Sequence, residues 1–436
     1  MTLPQVSLVM TLNLKWLEKW KLTQQNNVMA PLSGIRVLGV TVYLAGPYTL
    51  VNLARLGAES IKVEVPGFGD PTRGNGPFAS PDGYTETPET ENHLSTRFMK
   101  RSQGVKSVTL NLKNPEGRQM FLDMAKDSDV VVENLSPGAM RRLGLGYEDV
   151  AAVNPGIVYA SISGYGQTGP HAHRKAHDPE IQGMSGIMDI NGDPNGPPMR
   201  IGFYIADLVT PLFTCYSILA ALREKERTGK GQHLDVSMMD TLTSLMFVEN
   251  IEEALYAGEP LRMGNGIRGG PMGLYHTKDG DIIVTVASDD QWQRLAAALD
   301  TPELISDPRF AKFLDRGRNL AAARKAIQDL LMKFSKNEAL QILENSDVPC
   351  SDVRGVPDII EDRHFWDRGT LRPMRNQAFD EDLPGIVSGF PVAFSGGNLP
   401  QSQGAPLLGQ QNAEIYGALL GKEEADLIRL EDDGVI

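Results

Sequence analysis

IRVLGVTVYLAGPYTLVNLARLGAESIKVEV, residues 35–65, carries the sign of the architecture. Ile35 to Tyr43 is a β-branched run fit for a strand buried in a parallel sheet. Ala45-Gly46-Pro47 then opens a helix, with Pro47 where a missing N–H costs little. That helix runs to Arg55-Leu56 and stops at Gly57. Ser60 to Val65 is a second strand. Strand, helix and strand within about thirty residues form a βαβ unit with a right-handed crossover.

The alternation continues outward. Val105–Leu112, Asp129–Glu133 and Ile157–Ser163 read as strands. Asn114-Pro115-Glu116 starts a helix with an N-cap and a proline at its first position. Pro137–Leu143 and Tyr147–Val153 are helical, and Pro66–Glu91 is loop-like. The pattern predicts an open α/β domain with a mostly parallel sheet. Pro211–Arg227 and Val236–Ala257 read as helices, the first ending in Thr228-Gly229-Lys230-Gly231. Tyr275–Ala287 is a hairpin around Lys278–Asp281, followed by helices near 290–299, 316–333 and 337–346. This middle block reads as a smaller domain. A final helix runs from Asn412 to Leu430.

The chain has 436 residues, 41% of them hydrophobic and 22% charged, with a net charge of -13. That balance suits an ordinary globular protein and argues against nucleic acid or an anionic membrane as partner. Cys215 and Cys350 match no metal or disulfide spacing, which predicts a reducing, cytoplasmic setting. No uninterrupted apolar run reaches the ~20 residues of a membrane span. Residues 1–28 read as a flexible extension, with no positive stretch ahead of Leu8–Leu14.

The candidate chemistry gathers between Lys175 and Leu208. His177 and Asp178 stand at one end and Asp207 at the other, with the turn-rich segment Asn191–Pro198 between them. An aspartate carboxylate is ionised at neutral pH and attacks a thioester without a partner base. The competing reading of Asp207, favoured by position alone, is an N-cap on the helical run that follows. Gly164-Tyr165-Gly166-Gln167-Thr168-Gly169 fits a dinucleotide fingerprint, but Pro170 follows where a helix is required, so a tight turn is preferred. His171, His173 and His177 lack a completing ligand pattern, so no metal is expected. Lys113, Arg141, Arg142 and Lys175 together could take phosphates near the strand ends. Gly269-Gly270 lets backbone N–H groups approach a ligand closely, or serves as a linker.

These residues resemble the class III CoA-transferases, the CaiB/BaiF family with formyl-CoA transferase, carnitine CoA-transferase and α-methylacyl-CoA racemase branches. The matching runs are Gly34–Val37, Ala45-Gly46-Pro47, Leu56-Gly57-Ala58, Ile61–Glu64 and Gly69-Asp70-Pro71-Thr72-Arg73-Gly74. Leu110–Lys113, Pro115–Arg118, Val132-Glu133-Asn134, Pro137-Gly138-Ala139, Thr228–Gln232 and Ala405–Gly409 extend the likeness over about residues 32–430. The resemblance implies a Rossmann-like large domain made from both chain ends, a small α/β domain between, and an interlocked homodimer. The expected division is an extension at 1–30, the large domain at 31–230, a linking helix at 231–262, the small domain at 263–375, and a return at 376–436. The resemblance also implies acyl-CoA and a small carboxylic acid as substrates. It makes Asp207 the nucleophile, Lys113, Asn134, Arg142 and Lys175 the CoA contacts, and Gly269-Gly270 a mobile glycine loop.

Two departures matter. Leu44 stands where the formyl-CoA branch has glutamine, which argues against oxalate or formate as acceptor. His177-Asp178 resembles the racemase branch, leaving the alternative of an acyl-CoA racemase with His177 and Asp207 as acid and base. Leu208-Val209-Thr210-Pro211 replaces that branch's glycine run, so transfer is the preferred reading.

Overall fold

The computed structural model describes residues 29–90, 93–267, 270–379, 382–395, 399–400 and 404–436. The expected extension at residues 1–28 lies outside them. The described chain divides into two compact units. One contains residues up to Ser161, Thr214–Leu234 and Arg372–Ile436; the other contains Ile162–Phe213 and Asp235–Leu371.

The opening βαβ forms as its sequence dictates. Strand β1 (Arg36–Val40) leads into helix α1 (Ala45–Arg55), and Gly57, at φ 101°, turns the chain into β2 (Glu59–Glu64). That positive φ is cheap only for glycine. β3 (Lys106–Thr109), β4 (Val130–Glu133), β5 (Val158–Ser163) and β6 (Gln232–Ser237) complete a six-stranded sheet in the order β3-β2-β1-β4-β5-β6. The four pairings from β3 through to β5 are parallel. This is the doubly wound order, and it reverses direction between β1 and β4. Between the strands stand α2 (Pro115–Lys126), α3 (Ala139–Arg142) and α4 (Tyr147–Val153). Asn114 caps α2 as expected, its side chain accepting from the Glu116 N–H at 2.9 Å. Leu38, Ile61, Val108, Phe121, Val131 and Tyr159 are among the fully enclosed side chains of the core.

Several local expectations are corrected. The stretch 66–91 is not simply a loop. It holds a short 3₁₀ turn at Pro71–Gly74 and two strands, Phe78–Ser80 and Gly83–Thr85, which join Leu94–Ser95 in a small antiparallel sheet. Strands of two or three residues are too short to show alternation. The chain after Thr228 forms β6 before any helix. Gly231 makes this possible, because a Cβ there would lie 1.8 Å from the Ile157 carbonyl oxygen. The predicted helix 236–257 is two helices, with a break at residues 247–250. Another pair of strands, Leu371–Met374 and Leu383–Ser388, also escaped the pattern. The final helix is split by Gly421, at φ 62°, into Asn412–Leu420 and Glu424–Asp432.

The second unit contains α5 (Asp178–Met184) and the first residues of α6 (Ile205–Thr228). α7 (Met238–Met246) and α8 (Ile251–Ala257) follow. The expected hairpin is present as β7 (Gly273–His276) and β8 (Asp281–Val284), with β9 (Cys350–Asp352) beside it. By length and composition α6 could cross a membrane, with a mean hydropathy of 1.7 in its most apolar window, 44% of which is buried in the fold. The core helix of a soluble protein passes the same test.

Candidate active site

At the reversal between β1 and β4, the first unit brings Asn134 against the start of α1. The Asn134 side chain accepts from the Val42 N–H at 2.8 Å and donates to the Val42 carbonyl at 2.9 Å. Gly46 makes room for it: a Cβ there would fall 2.7 Å from both Asn134 and the Thr41 side chain. Asn134 therefore holds the β1–α1 turn, and its amide is already used at both ends. Lys113 follows β3 and Arg142 ends α3; both are exposed. The Arg142 guanidinium lies 3.4 Å from the Pro137 carbonyl, leaving most of its fork open to a ligand.

Charged residues of the family-like motifs lie underneath. Lys62 and Asp70 pair at 2.8 Å with side chains 1% exposed. Glu64 receives Arg73 at 2.7 and 2.9 Å, the Ser107 hydroxyl at 2.6 Å and the Asp70 N–H at 2.8 Å. Burial acts to raise the Glu64 carboxyl, but Arg73, Lys62 and Ser107 outweigh it and hold it below its ordinary value. Asp70 is likewise depressed, with burial opposed by Lys62 and Thr72. The runs Ile61–Glu64 and Gly69–Gly74 thus encode a buried ionic scaffold, a role that the motifs alone do not reveal.

The second unit holds Lys175, His177, Asp207 and Gly270. Asp207 is half-buried and is the third residue of α6. The N-cap reading is therefore corrected. The group that meets the free N–H groups of this helix is Asp178, which is fully buried. Its Oδ2 accepts from the Ala206 N–H at 2.7 Å and stands 3.4 Å from the Asp207 nitrogen. Its Oδ1 accepts from Gln182 at 2.6 Å. Gln182 also donates to the Phe203 carbonyl at 3.2 Å and accepts from the Ile201 N–H at 2.8 Å. Two side chains one turn apart on α5 thus fix residues 201–207. The positive end of the helix dipole also favours a carboxylate in this first turn. The spacing Asp178 to Gln182 places both on one helix face, and that spacing is visible in the sequence.

His177 precedes α5 with its side chain exposed, and its backbone N–H donates to Glu180 at 2.9 Å. Lys175 is exposed in the preceding extended segment. Gly269 lies outside the described residues. Gly270 is buried, with the Val286 carbonyl 3.3 Å from where a Cβ would stand. The dinucleotide-like run Gly164–Gly169 is a turn as expected, pinned by the Gln167 N–H on Asp235 at 2.8 Å.

Residues 32–412 match CoA-transferase family III, and the chain belongs to that family. The succinate–glutarate CoA-transferase of Agrobacterium fabrum is 33% identical over 399 residues, 91% of this chain and 98% of that protein. The acetyl-CoA:oxalate CoA-transferase of Acetobacter aceti is 36% identical over 388 residues, covering 88% and 95%. The human succinyl-CoA:glutarate CoA-transferase is 32% identical over 417 residues, covering 95% and 91%. Among solved structures, a CaiB/BaiF family protein from Brucella suis superposes with a TM-score of 0.76 at 33% identity, covering 90% of this chain and all of that one. The protein is an enzyme of CoA transfer, with CoA esters as its substrates.

Proposed function

We propose that the protein moves CoA from a dicarboxylyl-CoA donor to a second carboxylic acid through a thioester on Asp207. The carrying observation is the presentation of Asp207 on a helix turn whose backbone is fixed by buried Asp178. The Asp207 carboxylate attacks the thioester carbonyl, and the C–S bond breaks to release CoA thiolate and leave a mixed anhydride. The thiolate then attacks the Asp207 carbonyl, expelling the donor acid and forming aspartyl-CoA. The acceptor carboxylate attacks that thioester, giving a second anhydride and free thiolate. Attack of the thiolate on the acceptor's acyl carbon yields the new acyl-CoA and restores Asp207. Backbone N–H groups at Gly269-Gly270 would stabilise the oxyanions. Arg142, Lys113 and Lys175 would take CoA phosphates, against the net charge of -13. Asn134 acts on this reading by shaping the turn at the sheet reversal.

Relatives named for succinate, glutarate and mesaconate support this substrate class. Leu44 argues against oxalate and the likeness to an acetyl-CoA:oxalate CoA-transferase argues for it, so oxalate is included among the acids tested. A panel of donors against dicarboxylic, aromatic and branched acids, read by mass spectrometry, tests it; transfer confined to monocarboxylic acids would overturn the class. Asp207→Ala should abolish transfer with folding intact, and hydroxylamine with acyl-CoA should inactivate only the wild type. Full activity in the alanine variant removes the assignment. The racemase reading keeps one argument, the His177-Asp178 pair. Solvent deuterium entering the α-carbon of a 2-methylacyl-CoA, with no acceptor present, would favour it.

A second copy of the chain completes the proposed enzyme as an interlocked homodimer in the cytoplasm. Its support is the exposure of large apolar side chains around α7 and α8: Val248 is 78% and Tyr256 90% exposed. Contiguous exposed apolar surface is the usual mark of an interaction site, and these side chains are the candidates for it here.

A further inference from the structure

Between Lys175 and Asp207 the chain carries five carboxylates, Asp178, Glu180, Asp189, Asp193 and Asp207, against two permanent cations, Lys175 and Arg200. The transfer steps give Arg200 no task. Four of the carboxylates have local work. Asp178 serves Ala206 and Gln182, and Glu180 takes the His177 N–H. Asp193 takes the Asn195 N–H at 2.8 Å, and Asp189 pairs with Arg262 at 3.0 Å. Among the described residues the Arg200 guanidinium donates to a neutral acceptor, the Ile201 carbonyl at 3.0 Å, and its side chain is exposed. A guanidinium has five N–H donors in a planar fork, so most of this one, with its whole charge, is open to an anion.

The buried pair that fixes Asp207 also sets the place of Arg200. Gln182 accepts from the N–H of Ile201, the residue after Arg200, and donates to Asp178 at 2.6 Å. Asp178 accepts from the N–H of Ala206, the residue before Asp207. One amide, one carboxylate and three hydrogen bonds therefore separate the backbone beside Arg200 from the backbone beside Asp207. Between the two in sequence stand Phe203 and Tyr204, both exposed. Cation, apolar side chains and nucleophile thus follow one another along residues 200–207. A short diacid has the same order: a charged end, methylenes and a reacting carboxyl. It also needs a counter-charge. A dianion that meets Asp207 among the other carboxylates is repelled, and a cation for its far end offsets this.

We propose that Arg200 determines substrate specificity by holding the far carboxylate of a diacid through charge-assisted hydrogen bonds, while the near carboxyl reacts at Asp207. The methylenes of the diacid lie against Phe203 and Tyr204. This rests on the transfer reading above and names the group that selects a diacid over a monoacid of equal length. The contact serves donor acyl chain and acceptor alike, since each occupies the site in turn.

Glutarate and its monomethyl ester, which keeps the length and loses the far charge, are the acceptor probes, with succinyl-CoA held saturating for each variant. The wild type should favour glutarate. Arg200→Gln should raise KM for glutarate about tenfold or more, the order expected for a lost charge-assisted contact. KM for the monomethyl ester should stay unchanged, so the preference collapses. Arg200→Lys should keep part of it, because the charge remains while the fork is lost. Equal loss for both acids, or a preference that survives in Arg200→Gln, would overturn the assignment. Intact-mass detection of the CoA thioester on Asp207 keeps the two readings apart. Its absence sinks the transfer reading and this one with it; its presence beside an unaltered preference sinks only the role of Arg200. Phenylglyoxal labelling of the wild type needs no variant. Glutarate, and not its monomethyl ester, should slow modification at Arg200, and equal labelling in the presence of either refutes the contact.

Discussion

At the scale of single residues, Asp178 and Arg142 have separable consequences. Asp178 touches no reacting atom in the proposed steps; it acts through the first turn of α6. Asp178→Ala leaves the Ala206 N–H without its acceptor and Gln182 without its anchor. A misplacement of about 1 Å can cost on the order of 10²-fold in rate. The expected result is a kcat lowered by roughly that factor with KM for acyl-CoA little changed. Asp178→Asn should recover part of it, because an amide oxygen still accepts the N–H. Equal loss in both variants would assign Asp178 a charge role. For Arg142→Ala the expectation is reversed. KM for every acyl-CoA should rise about tenfold, or ~1.4 kcal/mol, with preference among acceptor acids unchanged. The loss should shrink at high salt, where screening already weakens the contact. These two residues also show what could be read in advance. Only the exposure of Arg142 at a helix end could be read in advance and is found in the fold; its phosphate contact is part of the proposal. The task of Asp178 depends on a contact across 28 residues, which no local pattern contains.

Elements were legible where their periodicity was long. The Asn-Pro start of α2 formed as read, and the run expected as a strand over Ile35–Tyr43 formed β1 over Arg36–Val40. β6 was missed because a six-residue alternation sits directly against a stronger helical pattern, and the sheets of two- and three-residue strands offer no period at all. The ionic scaffold beneath β2 is an element-scale device with a definite pH signature. Glu64 and Asp70 both lie below their ordinary values in the fold. A carboxyl depressed on folding stabilises above its unfolded pKa of ~4 and loses that contribution as pH falls through its folded value. Stability should thus decline on the acid side below about pH 4. Glu64→Gln should cost about 3 kcal/mol at neutral pH, since it strands Arg73 and unbalances Lys62. Chemical denaturation across pH should show a shallower acid limb for the variant. An unchanged limb would mean that other carboxyls govern acid stability. At the sheet reversal, Gly46→Ala drives a methyl into Asn134 and Thr41. It should destabilise by roughly 1–3 kcal/mol, seen as a lowered Tm.

On the scale of the whole molecule, the exposed apolar side chains near α7 and α8 are the support for the proposed dimer. Light scattering should give twice the 47.6 kDa chain mass. Tyr256→Glu should weaken that association, and a monodisperse monomer of the wild type would remove the dimer. Covering residues from a second chain cannot be inferred from one sequence, which is why the proposed dimer rests on the resemblance.

The way the first unit is stitched sets a clock on its synthesis. β3 is bridged to the chain's last helices by Asn412 to Thr109, a separation of 303 residues, and by Tyr416 to the same strand at 2.6 Å. At about 5–20 residues per second, a ribosome needs roughly 15–60 s to travel that distance. Throughout that interval β3 stands at the edge of an unfinished sheet. An edge strand without its cover is a template for wrong pairing. Nascent chains stalled before residue 412 should therefore recruit chaperones that chains carrying residues 412–436 do not need.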